Sequence, residues 1–350
     1  IRFPRERRYG YGAGSRVTKG RRVSSRATAH QYSRKVVNLG RGFFDCMETS
    51  EMICVRDILL GRRKEQAMLN GCAYILTVDV GNTFIRFGLF AEDSAAAQEC
   101  PLATCEITTP SRITADEARM RLAQVMGALA ADAGVPGPLM PAAAVLSCVV
   151  PALERPWKTA LSRTCTGRVL TVGPGLKTGM PVHYDDPAEI GPDRIADAVA
   201  ARAVYGSPCI VIDLGTTTNI EVIDARGTFV GGVIAPGLAL GARSLSAAAA
   251  RLPQVEPSAP THVIGRNTRE AMRSGVVLGE VARIDGMLDM VLAEMRATKA
   301  TGEGDVPIVI TGDDAEALAA LVGHSLTVDD ALTLRGLAEL YRINQKPRRA

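Results

Sequence analysis

The sequence predicts an α/β protein. Short apolar runs rich in Val and Ile alternate with segments of helical period. A strand, D-x-G-x-T, strand pattern occurs twice, at Asp79-Val-Gly-Asn-Thr83 and at Asp213-Leu-Gly-Thr-Thr217, 134 residues apart. Apolar residues make up 47% and charged residues 22% of the 350, which suits a globular chain. This composition excludes a wholly disordered chain, a collagen-like repeat and a disulfide scaffold. Aromatics are only 4%, so Ala, Val, Leu and Ile must build the core. At roughly 150 residues per domain, the length suits about two domains.

The ordered part is expected to begin near Ala73. Tyr74 to Val80 and Phe84 to Phe90 read as strands on either side of the first D-x-G-x-T turn. Thr114-x-x-Glu117 is a capping box, followed at helical spacing by Ala118, Leu122, Val125, Met126 and Leu129. Gly134 and Pro136 end that helix. Ala144 to Val150 reads as a buried strand closed by Pro151, and Val169 to Val172 as another. Gly191-Pro192 opens an Ala-rich helix over Ile195 to Val204, with Pro suited to a first helical position. Cys209 to Leu214 and Ile220 to Ile223 are strands around the second turn. Thr268 to Met295 carries long helical stretches, and Val306 to Ile310 is a strand ending in Thr311-Gly312.

Charge divides the chain. Residues 1–67 hold 16 Lys/Arg and 6 Asp/Glu, a net of +10, whereas residues 68–350 hold 25 and 31, a net of −6. The basic segment has no apolar stretch of the kind a secretory signal needs. Three readings of it stay open: a disordered basic tail, an organelle transit peptide, or a start placed too early, with Met68 just before the first strand. The acidic remainder disfavours bulk nucleic-acid binding by the core. No run of 18 apolar residues lacks a charge or a Gly/Pro break, so no transmembrane helix is predicted. Eight scattered cysteines without a C-x-x-C pair point to reduced thiols in the cytoplasm and away from zinc. His30, His183, His262 and His324 form no metal-ligand spacing, so no transition-metal site is expected.

The repeated turn carries the functional reading. Gly lets backbone N–H groups approach a phosphate closely, and Thr and Asn add donors. An Asp there can hold a cation or its waters. Two such hairpins face to face would clamp a polyphosphate; either one alone is also an ordinary strand-ending turn. The duplication resembles the actin and hexokinase superfamily of ATP-handling folds.

A third segment narrows the resemblance. Val182-His-Tyr184-Asp-Asp-Pro187-Ala-Glu189-Ile-Gly191-Pro-Asp193-Arg194 is similar to the Y-x-N-P-x-E-x-G-x-D-R motif of type III pantothenate kinases. Ser147-Cys-Val-Val-Pro151, Gly173-Pro-Gly-Leu-Lys-Thr-Gly179 and Gly231-Gly-Val-Ile-Ala-Pro-Gly237 resemble that family's S-V-V-P, G-P-G-x-x-T-G and G-G-x-I-x-P-G. Leu252-Pro253, Ile264-Gly-Arg-Asn-Thr268 and Ser274-Gly275 complete the order. The resemblance runs from about Tyr74 to about Leu340 and leaves out the basic segment.

The residues themselves suit phosphoryl transfer, which needs positioning and charge neutralisation more than covalent chemistry. Asp193 lies in the first turn of a predicted helix, where the dipole favours a carboxylate, and Arg194 adds a positive charge. It is the candidate acceptor of a hydroxyl proton; a plain ion pair at a helix start would look the same.

The resemblance implies more. It implies duplicated actin-like (ribonuclease H-like) domains over residues 73–205 and 206–345, with the nucleotide in the cleft between them. It implies ATP-dependent phosphorylation of pantothenate, the first step of coenzyme A biosynthesis, with Mg²⁺ and a monovalent cation, K⁺ or NH₄⁺. Asp79, Val80, Gly81, Asn82, Thr83, Phe84, Ile85 and Arg86 match the first ATP loop, and Thr216 a second ATP contact. Asp213 matches the monovalent-cation ligand. Tyr184, Gly191, Pro192, Asp193, Arg194 and Thr268 match pantothenate contacts. A cytoplasmic homodimer is implied too, with no membrane partner. The stripe Met272, Val276, Gly279, Arg283, Gly286, Met287 and Met290 suits a helix interface or the chain's own core equally.

Four departures stand out. Asp186 replaces Asn before Pro187, Asn219 and Glu221 stand where Thr and Asp are common, and Thr311-Gly-Asp313 replaces a superfamily T-G-G. Two alternatives stay open, a non-catalytic accessory member of the family and another small-molecule kinase of the superfamily.

Overall fold

In the computed structural model, residues 73–92, 100–135, 138–302 and 304–345 are described. The basic segment 1–67, with all three readings of it, lies outside the described residues. Alternation along the first strand organises the first half. In β1 (Tyr74–Val80), Leu76, Val78 and Val80 enter one apolar core and Ile75 enters another, as the period of two requires. β1 pairs antiparallel with β2 (Phe84–Ala91), which pairs antiparallel with β3 (Ala103–Thr108). On its other side β1 runs parallel to β4 (Ala143–Cys148), and β4 to β5 (Val169–Thr171). The strand order is β3-β2-β1-β4-β5.

The second half repeats this plan. β6 (Cys209–Leu214), β7 (Thr217–Ile223) and β8 (Phe229–Pro236) are antiparallel neighbours. β9 (Ile308–Gly312) and β10 (Thr327–Val328) continue parallel to β6. Read from the other edge, the order is β8-β7-β6-β9-β10, the same as in the first sheet. The fold is therefore α/β and duplicated.

Helices fill the layers. α1 (Ala115–Ala133) starts at Thr114, whose Oγ1 accepts the Glu117 N–H while Glu117 Oε2 accepts the Thr114 N–H, and it ends at Gly134 in the left-handed conformation. Its buried face holds all five residues that the spacing predicts. With α2 (Pro151–Thr164) it covers the outer face of the first sheet around Trp157 and Phe87. Pro151 was expected only to close a strand. β4 instead ends at Cys148, before the predicted Val150, and Pro151 opens α2, because Pro at a first helical position withholds an N–H that would have no partner anyway.

α3 (Pro192–Tyr205) and α8 (Leu332–Ile343) pack against each other and share a core with the inner faces of both sheets, including Ile75, Val145, Val211 and Val309. They cross closely at Gly336, where a Cβ would lie 1.9 Å from the Ala196 carbonyl oxygen. The outer face of the second sheet packs on α6 (Gly279–Ala297) and α7 (Ala315–Ala319). α4 (Leu238–Ala248) follows β8. The helical stretch predicted from Thr268 is interrupted: α5 (Thr268–Arg273) passes through a π-turn, Ser274–Leu278, into α6. Among the described residues no helix is long and apolar enough to cross a membrane.

Candidate active site

Strand parity builds the site. Leu76, Val78 and Val80 of β1 face α1 and α2, so Asp79 falls on the opposite face, toward α3. In β6, Ile210, Ile212 and Leu214 face α6 and α7, so Asp213 also falls on the α3 side. Asp193 stands in the first turn of α3. The two D-x-G-x-T tips meet, with Thr83 Oγ1 and Thr216 Oγ1 3.0 Å apart. The result is a cleft of about 80 Å³ lined by Asp79, Gly81, Asn82, Thr83, Phe84, Arg86, Val149, Asp193, Asp213, Gly215, Thr216, Thr217, Asn219, Asp313 and Thr333.

Burial dominates the electrostatics. Desolvation raises the Asp79 carboxyl to about 6, with help from the nearby Asp193 charge. It raises Asp213 to about 7, and Asp193 and Asp79 add to the shift. Asp193 is raised by burial as well, opposed by its hydrogen bond from the Arg194 N–H at 2.8 Å. Asp197 is fully buried one helical turn after Asp193 and is raised by desolvation, then by Asp213 and Glu221. A cleft crowded with carboxyls favours a cation or a proton among them.

Arg194 does not face the cleft freely. Its Nε donates to Glu221 Oε1 at 2.9 Å, and both side chains are buried. Its guanidinium lies 5.7 Å from the centre of the Phe229 ring, which in turn lies 6.1 Å from the Tyr184 ring. Desolvation raises Glu221 to about 8 even against the Arg194 charge. Arg86 has two acidic partners, Glu106 at 3.0 Å and Asp313 from the opposite sheet.

The sequence-predicted residues thus fall into four places. Asp79, Gly81, Asn82, Thr83, Phe84, Arg86, Asp193, Asp213 and Thr216 line one cleft. Val80 and Ile85 are fully buried in the outer core, so only their backbone is available to a ligand on the inner side. Tyr184 and Arg194 form the neighbouring cluster around Phe229, behind the Gly191-Pro192 helix start. Thr268 opens α5 and is exposed, outside the cleft lining. Sequence reading passed over Asp197, Phe229 and Thr333. Asp197 was legible from its four-residue spacing to Asp193 on one helix. Phe229 and Thr333 reach the site only through long-range packing.

Among the described residues, no three His, Cys, Asp or Glu side chains converge as a metal-ligand group. Asp79 Oδ1 and Asn219 Oδ1 are nevertheless buried without a hydrogen-bond partner. Such a donor set suits a hard cation held by one or two carboxylates together with waters and phosphate oxygens. A larger cavity, about 700 Å³ between β7, β8 and the end of α6, contains none of the predicted site residues.

Comparison with known proteins agrees with this arrangement. The family model described as type III pantothenate kinase matches residues 75–290. A type III pantothenate kinase of Koribacter versatilis is 37% identical over 275 residues, covering 77% of this chain and 96% of the relative. Those of Symbiobacterium thermophilum and Nocardia farcinica are 39% and 40% identical, with 77% and 79% of this chain and 97% and 99% of the relatives covered. The facing D-x-G-x-T hairpins, the helix-start Asp193 and this similarity over nearly the whole length of the relatives lead to one conclusion: the chain belongs to the type III pantothenate kinase family.

Proposed function

We propose that this protein transfers the γ-phosphoryl group of ATP to the primary hydroxyl of pantothenate, the first step of coenzyme A biosynthesis. The observation that carries the reading is the meeting of the two D-x-G-x-T tips beside Asp193, in a chain of this family. The Gly81 and Gly215 N–H groups close their own turns on the Phe84 and Thr217 carbonyls, each at 3.0 Å, and Asn82, Thr83 and Thr216 offer side-chain donors to the phosphates from opposite walls. The pantothenate hydroxyl oxygen attacks the γ-phosphorus in line, the bond to the β-phosphate bridge oxygen breaks, and ADP leaves. Asp193 takes the hydroxyl proton. Its Oδ1 is held by the Arg194 N–H, which leaves Oδ2 for the substrate. A base raised by burial is better matched to this task than an exposed carboxylate.

Tyr184 and Arg194 belong to the acceptor side, with Thr268. Bound Mg²⁺ supplies charge neutralisation at the phosphates, and a K⁺ or NH₄⁺ ion does so beside Asp213. Asp79 and Asp213 are the side chains that would hold these ions. The halves 73–205 and 206–345 act as the two domains that close on the nucleotide, tied by α8 packing back onto α3.

The protein works as a cytoplasmic homodimer. Gly275, Gly279 and Gly286 support this reading, since a Cβ on any of them meets nothing within 4 Å in its own chain, and Met290 beside them is exposed. A coupled kinase assay with pantothenate, ATP, Mg²⁺ and K⁺ tests the function. Phosphorylation of pantothenate and not of sugars is the expected result. Turnover of sugars alone, or none at all, contradicts it.

A further inference from the structure

We propose that Asp313 sets the nucleotide affinity of this enzyme, by holding Arg86 across the ligand-free cleft as a built-in competitor of the triphosphate. The inference rests on the ATP reading above. Arg86 is the single cation among the described residues that line the cleft, where it faces Asp79, Asp193, Asp213 and Asp313. Its Nη2 pairs with Asp313 Oδ1 and its Nε with Glu106 Oε2. Glu106 comes from the same sheet as Arg86, on the neighbouring strand, whereas Asp313 comes from the other sheet, immediately after β9. The Arg86–Asp313 pair therefore bridges the two walls.

The main chain fixes the position of Asp313. Gly312 has φ +91°, and a Cβ there would lie 2.1 Å from the Leu214 carbonyl oxygen. The Asp313 N–H donates to that same oxygen at 2.6 Å. Substitution at 313 should leave this turn intact, because no side-chain bond from Asp313 holds it.

Size and charge give the direction of the effect. The cleft measures about 80 Å³, against roughly 300–1,000 Å³ for ordinary small-molecule pockets, so its walls must separate to admit a nucleotide. Separation breaks the Arg86–Asp313 pair. The triphosphate then takes Arg86 and is repelled by the released Asp313 carboxylate. The superfamily T-G-G pattern has no carboxylate at this position, so the device belongs to the T-G-D version carried here. The two side chains are 31% and 39% exposed, so the effect is moderate.

The test is calorimetric titration of MgATP and of magnesium tripolyphosphate into the wild type, Asp313→Asn and Asp313→Gly. Melting curves confirm that each variant is folded. Both substitutions should tighten both ligands by about three- to fivefold. The gain should shrink when Arg86 is replaced by Gln. Unchanged or weaker ATP binding by Asp313→Asn overturns the proposal. Weaker ATP binding with tripolyphosphate unchanged also overturns it, and makes Asp313 a contact to the nucleoside. A folded wild type that binds neither ligand overturns the ATP reading itself.

Discussion

Asp79, Asp193 and Asp213 line one cleft, Asp197 is buried one turn further along the helix of Asp193, and desolvation is the largest cause of the upward shift in all four. For Asp193 the consequence is chemical. Asp193→Asn keeps the size and removes the proton acceptor, so turnover should fall by about 10²- to 10⁴-fold while ATP binding persists. Near-normal turnover reduces Asp193 to a helix-start residue. For Asp79, Asp213 and Glu221 the consequence is thermodynamic. Their folded-state values of about 6, 7 and 8 lie above the ordinary carboxylate range near 4. Between those limits the native state binds protons that the unfolded chain has released, so stability falls as pH rises. The ligand-free protein should melt at progressively lower temperature from about pH 4 to about pH 8, and Asp213→Asn should flatten the part between about pH 4 and about pH 7. A melting temperature that rises over this range contradicts the assignment. Asp213→Ala should also abolish any difference in activity between K⁺ and Na⁺. If the wild type shows no such difference, Asp213 is not a monovalent-cation ligand.

Parity within strands and close approach between helices place these residues. A one-residue slip of β1 or β6 would turn Asp79 or Asp213 into the outer core and expose apolar residues to the cleft, so burial itself fixes the register. The α3–α8 crossing holds the acceptor helix between the sheets. There Gly336 leaves no space for a methyl group beside the Ala196 carbonyl. Gly336→Ala should cost about 1–3 kcal/mol by forcing the helices apart. Denaturant unfolding measures this, and a loss below a few tenths of a kcal/mol means that the crossing relaxes freely. Because α3 carries Asp193, the same variant should lower turnover before it lowers ATP binding.

At the scale of the whole molecule, two copies of one sheet plan enclose a single cleft, and α8 returns from the second half to pack against the first. The open glycine face of the α5–α6 region leaves room for a second helix at short range. Gly279→Glu should therefore dissociate the proposed dimer and weaken pantothenate binding more than ATP binding. Sedimentation of the wild type as a fully active monomer at working concentration overturns this.

Much of this was legible beforehand, for identifiable reasons. Apolar runs around Asp79 and Asp213 specify strands by local pattern, and the capping box at Thr114 specifies a helix start by local hydrogen bonding. Both survive because short-range geometry and burial agree. The repeated turn pointed to phosphate binding through its residue types, and the Tyr184-to-Arg194 motif pointed to the acceptor through its resemblance to type III pantothenate kinases. α8 was missed although Leu332, Leu334, Leu337 and Leu340 are all buried in it, since it lies beyond the last motif and its role appears only where it meets α3. Asp313 looked like a departure from T-G-G, and Glu221 like a departure from the common Asp. Their partners, Arg86 and Arg194, are 227 and 27 residues away, and pairing over such separations depends on which strands become neighbours. The sequence by itself determined the strands around the two repeated turns, those turns, and the carboxylates proposed to carry the reaction. The tertiary structure decided which charges face one another, because electrostatic energy depends on distance and burial, and neither is a property of position along the chain.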